Sequence, residues 1–194
     1  MAWDTARTKQ LLLDAAVEEF ARHGAEGARV ARIATGAGVN KERIYQYFGS
    51  KEKLFAAVLE SELRKLAAAV PLGPEQAADL GDYAGRVFDY HRSHPHFVRL
   101  LTWEGLQCQG HPVAAEGERT DHYARKLAAV AAARRSGALA DGLAPGELMY
   151  AVVALTAAWL TMPQVARMLL PAVVEAGPDA ERATVVALVR RLAA

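Results

Sequence analysis

Residues 28–55 read ARVARIATGAGVNKERIYQYFGSKEKLF, and this stretch decides the fold. Val30, Ile33 and Ala34 recur at the three-to-four-residue spacing of a buried helical face, so a short helix is expected over Arg29 to Thr35. Gly36-Ala37-Gly38 interrupts it with glycines that tolerate positive φ. Asn40 is a favourable N-cap for the next helix. That helix turns Ile44 and Phe48 inward and leaves Lys41, Glu42, Arg43 and Gln46 facing out. Such side chains reach base edges from the start of a recognition helix. Ser50 is placed to cap a third helix that carries Lys51, Glu52 and Lys53 in its first turn and buries Leu54 and Phe55.

Upstream, Leu12, Ala16 and Phe20 share one face of a helix expected from Asp4 to His23, with Gly24 as its stop. Two short helices cannot bury a core alone, and this longer one is expected to back them. Downstream, Leu54, Val58, Leu59 and Leu66 give a helix from Ser50 to about Val70 a buried side, with Glu60, Glu62, Arg64 and Lys65 read as solvated. No flexible Ser/Gly/Pro linker separates this helix from the C-terminal part of the chain, so it is expected to act as a rigid strut.

In this order the residues resemble the DNA-binding domain of the TetR family of transcriptional repressors. The likeness runs from LLLDAAVEEFARHG (11–24) through VARIATGAGVNKERIYQYFGSKEKLF (30–55), with its Ile-Ala pair, Ala-Gly-Val, Tyr-x-Tyr-Phe and Ser-Lys-Glu. It implies an all-α protein, in which a three-helix helix-turn-helix domain is joined by a long fourth helix to a C-terminal helical domain for effector binding and dimerisation. The expected boundary is 1–52 against 53–194. The resemblance implies a homodimer that reads palindromic double-stranded operator DNA and is released by a small-molecule effector. Arg29, Arg32, Asn40, Lys41, Glu42, Arg43, Tyr45, Gln46, Tyr47 and Lys51 are the expected DNA contacts. Lys41 and Arg43 address bases, while Tyr45, Gln46, Tyr47 and Lys51 hold phosphates, which set register. Two positions depart from the family. Ala28 stands where many relatives carry a capping Thr or Ser, which removes ~0.5–2 kcal/mol of helix stability unless another group takes over. Arg29 is close enough to replace the lost phosphate contact. Glu42 either accepts from a cytosine amino group or pairs with a neighbouring base-reading cation.

The formal net charge is +1, so the protein as a whole is not an electrostatic DNA glue. Locally, Arg29, Arg32, Lys41, Arg43, Lys51 and Lys53 outnumber Glu42 and Glu52, which suits phosphate contact. Hydrophobic residues make up 52% and aromatic residues 7%, a balance that favours close helix packing on Ala, Leu and Val. The single cysteine, Cys108, excludes an intrachain disulfide. MAWDTARTKQ has no apolar signal core, and the uncharged run Leu148 to Met162 is shorter than the ~20 residues of a membrane helix. A cytoplasmic protein without membrane attachment is expected.

Beyond Glu75 helices are expected over Gln76–His94, from Pro95 to about Gln107, over Ala114–Ser136, from Pro145 onward, over a short VARMLLP segment, and at the C-terminus. LMYAVVALTAAWLTM (148–162) is apolar all round and must be covered all round, one side by its own subunit and the other by a partner. Val185, Leu188, Val189 and Leu192 offer the last helix for the same interface. No nucleotide-binding glycine motif, HExxH or GxSxG is present, so neither an enzyme nor a cofactor is expected. The rival class is a small-molecule-binding helical protein, or an enzyme, with a relic DNA-binding lobe. His91, His94, His96, Cys108 and His111 are metal-ligand types, but no well-placed carboxylate completes a set of four, and no metal is expected. Tyr90, Phe97, Leu101, Trp103, Tyr123, Trp159 and Met162 are the expected wall of an effector pocket.

Overall fold

The computed structural model describes residues 5–108, 110, 113 and 115–194, with Cys108 described by its backbone alone. Among these residues the regular structure is entirely helical. The helices are α1 (Thr5–Gly27), α2 (Val30–Gly36), α3 (Glu42–Phe48), α4 (Lys51–Ala69), α5 (Pro74–Ala77), α6 (Leu80–Ser93), α7 (Pro95–Cys108), α8 (Glu116–Arg135), α9 (Pro145–Thr161), α10 (Pro163–Leu169), α11 (Pro171–Ala176) and α12 (Pro178–Ala193). The chain forms two compact units, Met1–Lys65 with His96–Glu116, and Leu66–Pro95 with Gly117–Ala194.

The core of the first unit joins Leu12, Ala16 and Phe20 of α1 to Ile33 and Ala34 of α2, Ile44 of α3, Leu54, Phe55, Val58 and Leu59 of α4, and Leu100 of α7. Phe20 meets Phe55 edge-on, with ring centroids 5.1 Å apart. The first half of α4 completes this N-terminal core, and α7 returns to it. The expected stop at Gly24 is a kink within α1 (φ 67°, ψ 177°), after which the helix continues to Gly27. A Cβ at Gly24 would lie 2.9 Å from two Trp103 ring atoms, so glycine is required by both backbone and space. Trp103 Nε1 donates to Ala21 O at 3.3 Å.

One residue read as solvated is not. Glu62 is 1% exposed, because it stands on the face of Val58 and Leu59. Its carboxylate accepts from Lys65 Nζ at 2.6 Å and lies 2.9 Å from His96 Nε2 on α7. Burial raises its pKa, but the bonds to His96 and Lys65 outweigh that and hold it below the ordinary value.

In the second unit α6 packs against α9 and α12. Phe88, Leu148, Val152, Val185 and Val189 are at most 1% exposed there. The expected helix over Gln76–His94 is broken, because Asp79 accepts from Asp82 N at 3.0 Å and caps a fresh start for α6. At Gly81 a Cβ would stand 3.0 Å from Val186 O, so the small residue lets α12 approach closely. Arg182–Asp89 (2.8 Å), Arg190–Asp79 (2.6 Å) and Arg92–Glu181 (2.8 Å) tie α12 to α6 and its cap. The last helix is thus split in use: Val185 and Val189 are buried in their own unit, while Leu188 and Leu192 remain 39% and 37% exposed. Likewise α9 buries Leu148, Met149, Val152 and Thr156 and exposes Tyr150 and Val153. No single helix among the described residues is long and apolar enough to cross a membrane.

Candidate nucleic-acid interface

The turn between α2 and α3 is built by backbone bonds. Val39 N donates to Ala34 O at 3.0 Å and Gly38 N to Thr35 O at 3.1 Å, with Gly38 at φ 65°. Ala37 is buried beneath it. Asn40 does not cap α3 with its side chain; the cap position is Lys41, and Asn40 contributes only its carbonyl, to Arg43 N at 3.0 Å. The Asn40 side chain is exposed instead at the leading edge of the helix. Ile44 anchors α3 at 0% exposure, and Phe48 packs half-buried against the core.

The opposite face of α3 carries the polar side chains. Lys41, Glu42, Tyr45 and Gln46 are exposed and Arg43 is half-exposed. Arg43 Nη1 donates to Gln46 Oε1 at 2.9 Å, which holds two long side chains side by side. Tyr47 is half-buried with Lys9 Nζ 5.7 Å from its ring centroid. A shallow groove runs between the helices, lined by Ala34, Thr35, Gly38, Val39, Asn40 and Arg43. Ser50 caps α4 as expected, its Oγ accepting from Lys53 N at 3.2 Å. Lys51 Nζ donates to Glu26 O at 2.9 Å and Ala28 O at 3.4 Å, which fixes an ammonium beside the start of α2.

The missing cap at Ala28 has a replacement from α1. The cap position of α2 is Arg29, whose own side chain makes no capping bond. Glu19 Oε1 accepts the Arg29 backbone N–H at 2.8 Å and, with Oε2, the Arg32 guanidinium at 2.5–2.9 Å. Burial opposes the charged carboxylate, but the bonds from Arg32 and from the Arg29 amide prevail and hold its pKa below the ordinary value. Arg32 is therefore tied down by an ion pair, whereas Arg29 is exposed.

The residues expected to wall an effector pocket are distributed over both units. Phe97, Leu101 and Trp103 belong to α7 in the first unit, where Leu101 and Trp103 pack on the helix-turn-helix core. Tyr90, Tyr123, Trp159 and Met162 belong to the second. There Tyr90 stacks on His94 at 4.1 Å and Trp159 meets Phe88 edge-on at 6.4 Å. Tyr123 and Met162 are 39% and 47% exposed. His91 Nδ1 lies 3.3 Å from Thr156 O, and burial pushes the ring below its ordinary pKa. His111 and the Cys108 side chain lie outside the described residues. Among the described residues no three His, Cys, Asp or Glu side chains gather as a ligand set.

Three charged residues that composition and motif did not single out emerge from the packing: Glu19, Glu62 and Lys126. Lys126 is 8% exposed on α8. Its spacing to Ala129, Val130 and Ala133 puts it on that helix's apolar face, a signal present in the sequence.

An exposed polar helix, set by a glycine turn on a packed three-helix frame and flanked by fixed cations, defines a helix-turn-helix DNA-binding module. A second, wholly helical unit accompanies it. Residues 12–58 match the family model described as bacterial regulatory proteins, tetR family, and residues 79–191 that of the tetracyclin repressor-like C-terminal domain. The chain is 40% identical to the HTH-type transcriptional repressor SCO4008 of Streptomyces coelicolor, over 98% of this chain and 97% of that protein. A solved structure of the putative transcriptional regulator SCO4942 from Streptomyces coelicolor matches with a TM-score of 0.82 and 37% identity, covering 95% of this chain and 97% of that one. The HTH-type transcriptional repressor NicS of Pseudomonas putida is 42% identical over 52% of this chain and 49% of its own length. The chain belongs to the TetR family of transcriptional regulators.

Proposed function

We propose that the protein is a cytoplasmic repressor that binds a palindromic operator as a homodimer and is released when a small molecule occupies its C-terminal domain. The observation that carries this reading is the outer face of α3, where Lys41, Glu42, Tyr45 and Gln46 stand free of the core beside Arg43. In this reading Lys41 and Arg43 address base edges from the major groove. Arg29, Tyr45, Gln46, Tyr47 and Lys51 hold phosphates, and Arg32 acts mainly by steadying the start of α2. Glu42 tunes the choice of base. Tyr150 and Val153 of α9, with Leu188 and Leu192 of α12, provide apolar surface for a second copy.

Release works through geometry. Two recognition helices must meet two half-sites at once, so a change in their separation of a few ångströms weakens binding steeply. The helix α4 runs unbroken from Lys51 to Ala69, about 28 Å at ~1.5 Å per residue, and is the natural carrier of such a change. A mobility-shift assay with promoter DNA flanking the gene tests the reading. Specific retardation by the parent protein and its loss in Arg43→Ala are expected. Failure of the purified dimer to distinguish that DNA from random sequence would overturn it.

A further inference from the structure

We propose that the pair Lys126 and Tyr83 forms a binding site for the carboxylate of a small organic acid, so that the effector is an anion. That the anion is the effector rests on the function proposed above; the anion site itself does not.

Lys126 sits on the apolar face of α8 beside Ala129, Val130 and Ala133, which are 7%, 0% and 2% exposed. Its Nζ donates to Tyr83 Oη of α6 at 2.8 Å, and Tyr83 is 2% exposed. Among the described residues this phenol is its one hydrogen-bond partner, and no carboxylate pairs with it. Asp82, next to Tyr83 in the chain, is bonded to Arg86 at 3.0 Å. The surroundings are cationic: the Arg86 guanidinium lies 5.8 Å from the Tyr83 ring centroid. Burial first, and then the charges of Lys126 and Arg125, hold His122 below its ordinary pKa.

A buried charge without a counter-ion destabilises a fold, and a methionine would fill the same space without that penalty. The arrangement gains a purpose when an anion completes it. Burial lowers Lys126 to about 8 and raises Tyr83 to about 12, so near pH 7 the amine is mostly charged and the phenol keeps its proton. An ammonium has three N–H donors, of which one is engaged, and the phenol that accepts it still has its own O–H to give. Two donors fixed 2.8 Å apart suit the two oxygens of one carboxylate, through charge-assisted bonds. Tyr123, 39% exposed with its ring centroid 6.0 Å from Nζ, offers an aromatic face on the solvent side for the rest of an acid.

The test is calorimetry on the DNA-free full chain with benzoate and with benzamide, its neutral counterpart. Benzoate is expected to bind at millimolar concentration or below, and benzamide at least about tenfold more weakly. Lys126→Gln, which retains a donor for Tyr83 but no charge, is expected to lose the preference for benzoate. Tyr83→Phe, which leaves the ammonium, is expected to weaken benzoate only in part. The proposal is overturned if the parent does not bind benzoate, if benzamide binds as well, or if Lys126→Gln binds benzoate unchanged. Operator binding by the parent, measured separately, decides the repressor reading whichever way calorimetry falls.

Discussion

Glu19→Ala removes the side chain that stands in for the missing cap of α2. In the parent, Glu19 accepts the Arg29 amide at 2.8 Å with a side chain only 10% exposed. A lost helix-start acceptor costs typically ~1 kcal/mol, within a range of about 0.5–2. The Arg32 pair adds little to this, because the guanidinium stands in solvent, where ion pairs are weak. Global stability should therefore fall by about 1–2 kcal/mol, read by urea unfolding. Operator affinity should fall further, by about tenfold or more, since the loosened turn carries Arg29 and Arg32 and supports the groove beside α3. Glu19→Gln, which keeps an acceptor, should lie between the two in both measurements. Adding Arg29→Ser to Glu19→Ala restores a capping hydroxyl, and should recover stability without recovering affinity if Arg29 touches phosphate. The pH dependence has a definite sign. Because the Glu19 pKa is depressed on folding, its contribution is complete above the ordinary glutamate value of about 4.3 and disappears as pH falls through the folded value. Parent and Glu19→Ala curves should converge in acid. A Glu19→Ala protein as stable and as tight on operator as the parent at pH 7 would refute the reasoning.

Lys51→Ala should weaken binding to all DNA sequences alike and reduce the salt slope by up to about one unit; an unchanged slope would remove Lys51 from the phosphate contacts. Arg43→Ala should instead relax discrimination at one base pair per half-site by about 1–3 kcal/mol, measured with single-substitution operators. Val153→Glu on the exposed side of α9 should shift sedimentation toward monomer with the helical signal intact, whereas Val189→Glu should unfold the second unit, because Val189 is 0% exposed within its own chain. Glu62→Gln should lower stability by about 1–3 kcal/mol at pH 7, and this difference should shrink in acid as the parent carboxylate protonates, again because its folded pKa is depressed; a difference that grows in acid would contradict the assigned bonding.

The helix-turn-helix was legible in the sequence because the signals that mark its turn and its two helices are local. The spacing of Val30, Ile33 and Ala34, the glycines at 36 and 38, and the pair Ile44 and Phe48 act within a few residues of one another. What could not be read is where a distant segment supplies a missing part. Ala28 announced that a cap was lacking, but its replacement comes from Glu19, an α1 residue bonded to an amide ten positions later. The same limit explains the helix α7. Chain order assigned Phe97, Leu101 and Trp103 to the C-terminal domain, yet Trp103 closes over Gly24 and donates to Ala21 O across 82 positions. A glycine with positive φ announces a turn; it does not announce the indole that also excludes a side chain.

Charge misled where periodicity did not. Glu62 follows Val58 by four residues and Leu59 by three, so the spacing that identified the buried face of α4 already included it. Lys126 precedes Ala129 and Val130 by the same intervals on α8. In both cases residue type argued for solvent and helical phase argued for the core, and phase prevailed. Phase cannot say what satisfies a buried charge, because the partners lie 34 and 43 positions away, at His96 and Tyr83. The outcomes differ in kind. Glu62 meets two cationic or protonatable groups and forms a structural node between α4 and α7, whereas Lys126 meets a neutral phenol and keeps its charge unanswered. A charged residue on an apolar face is thus a marker of either a strut or a site, and the charge of its partner separates the two.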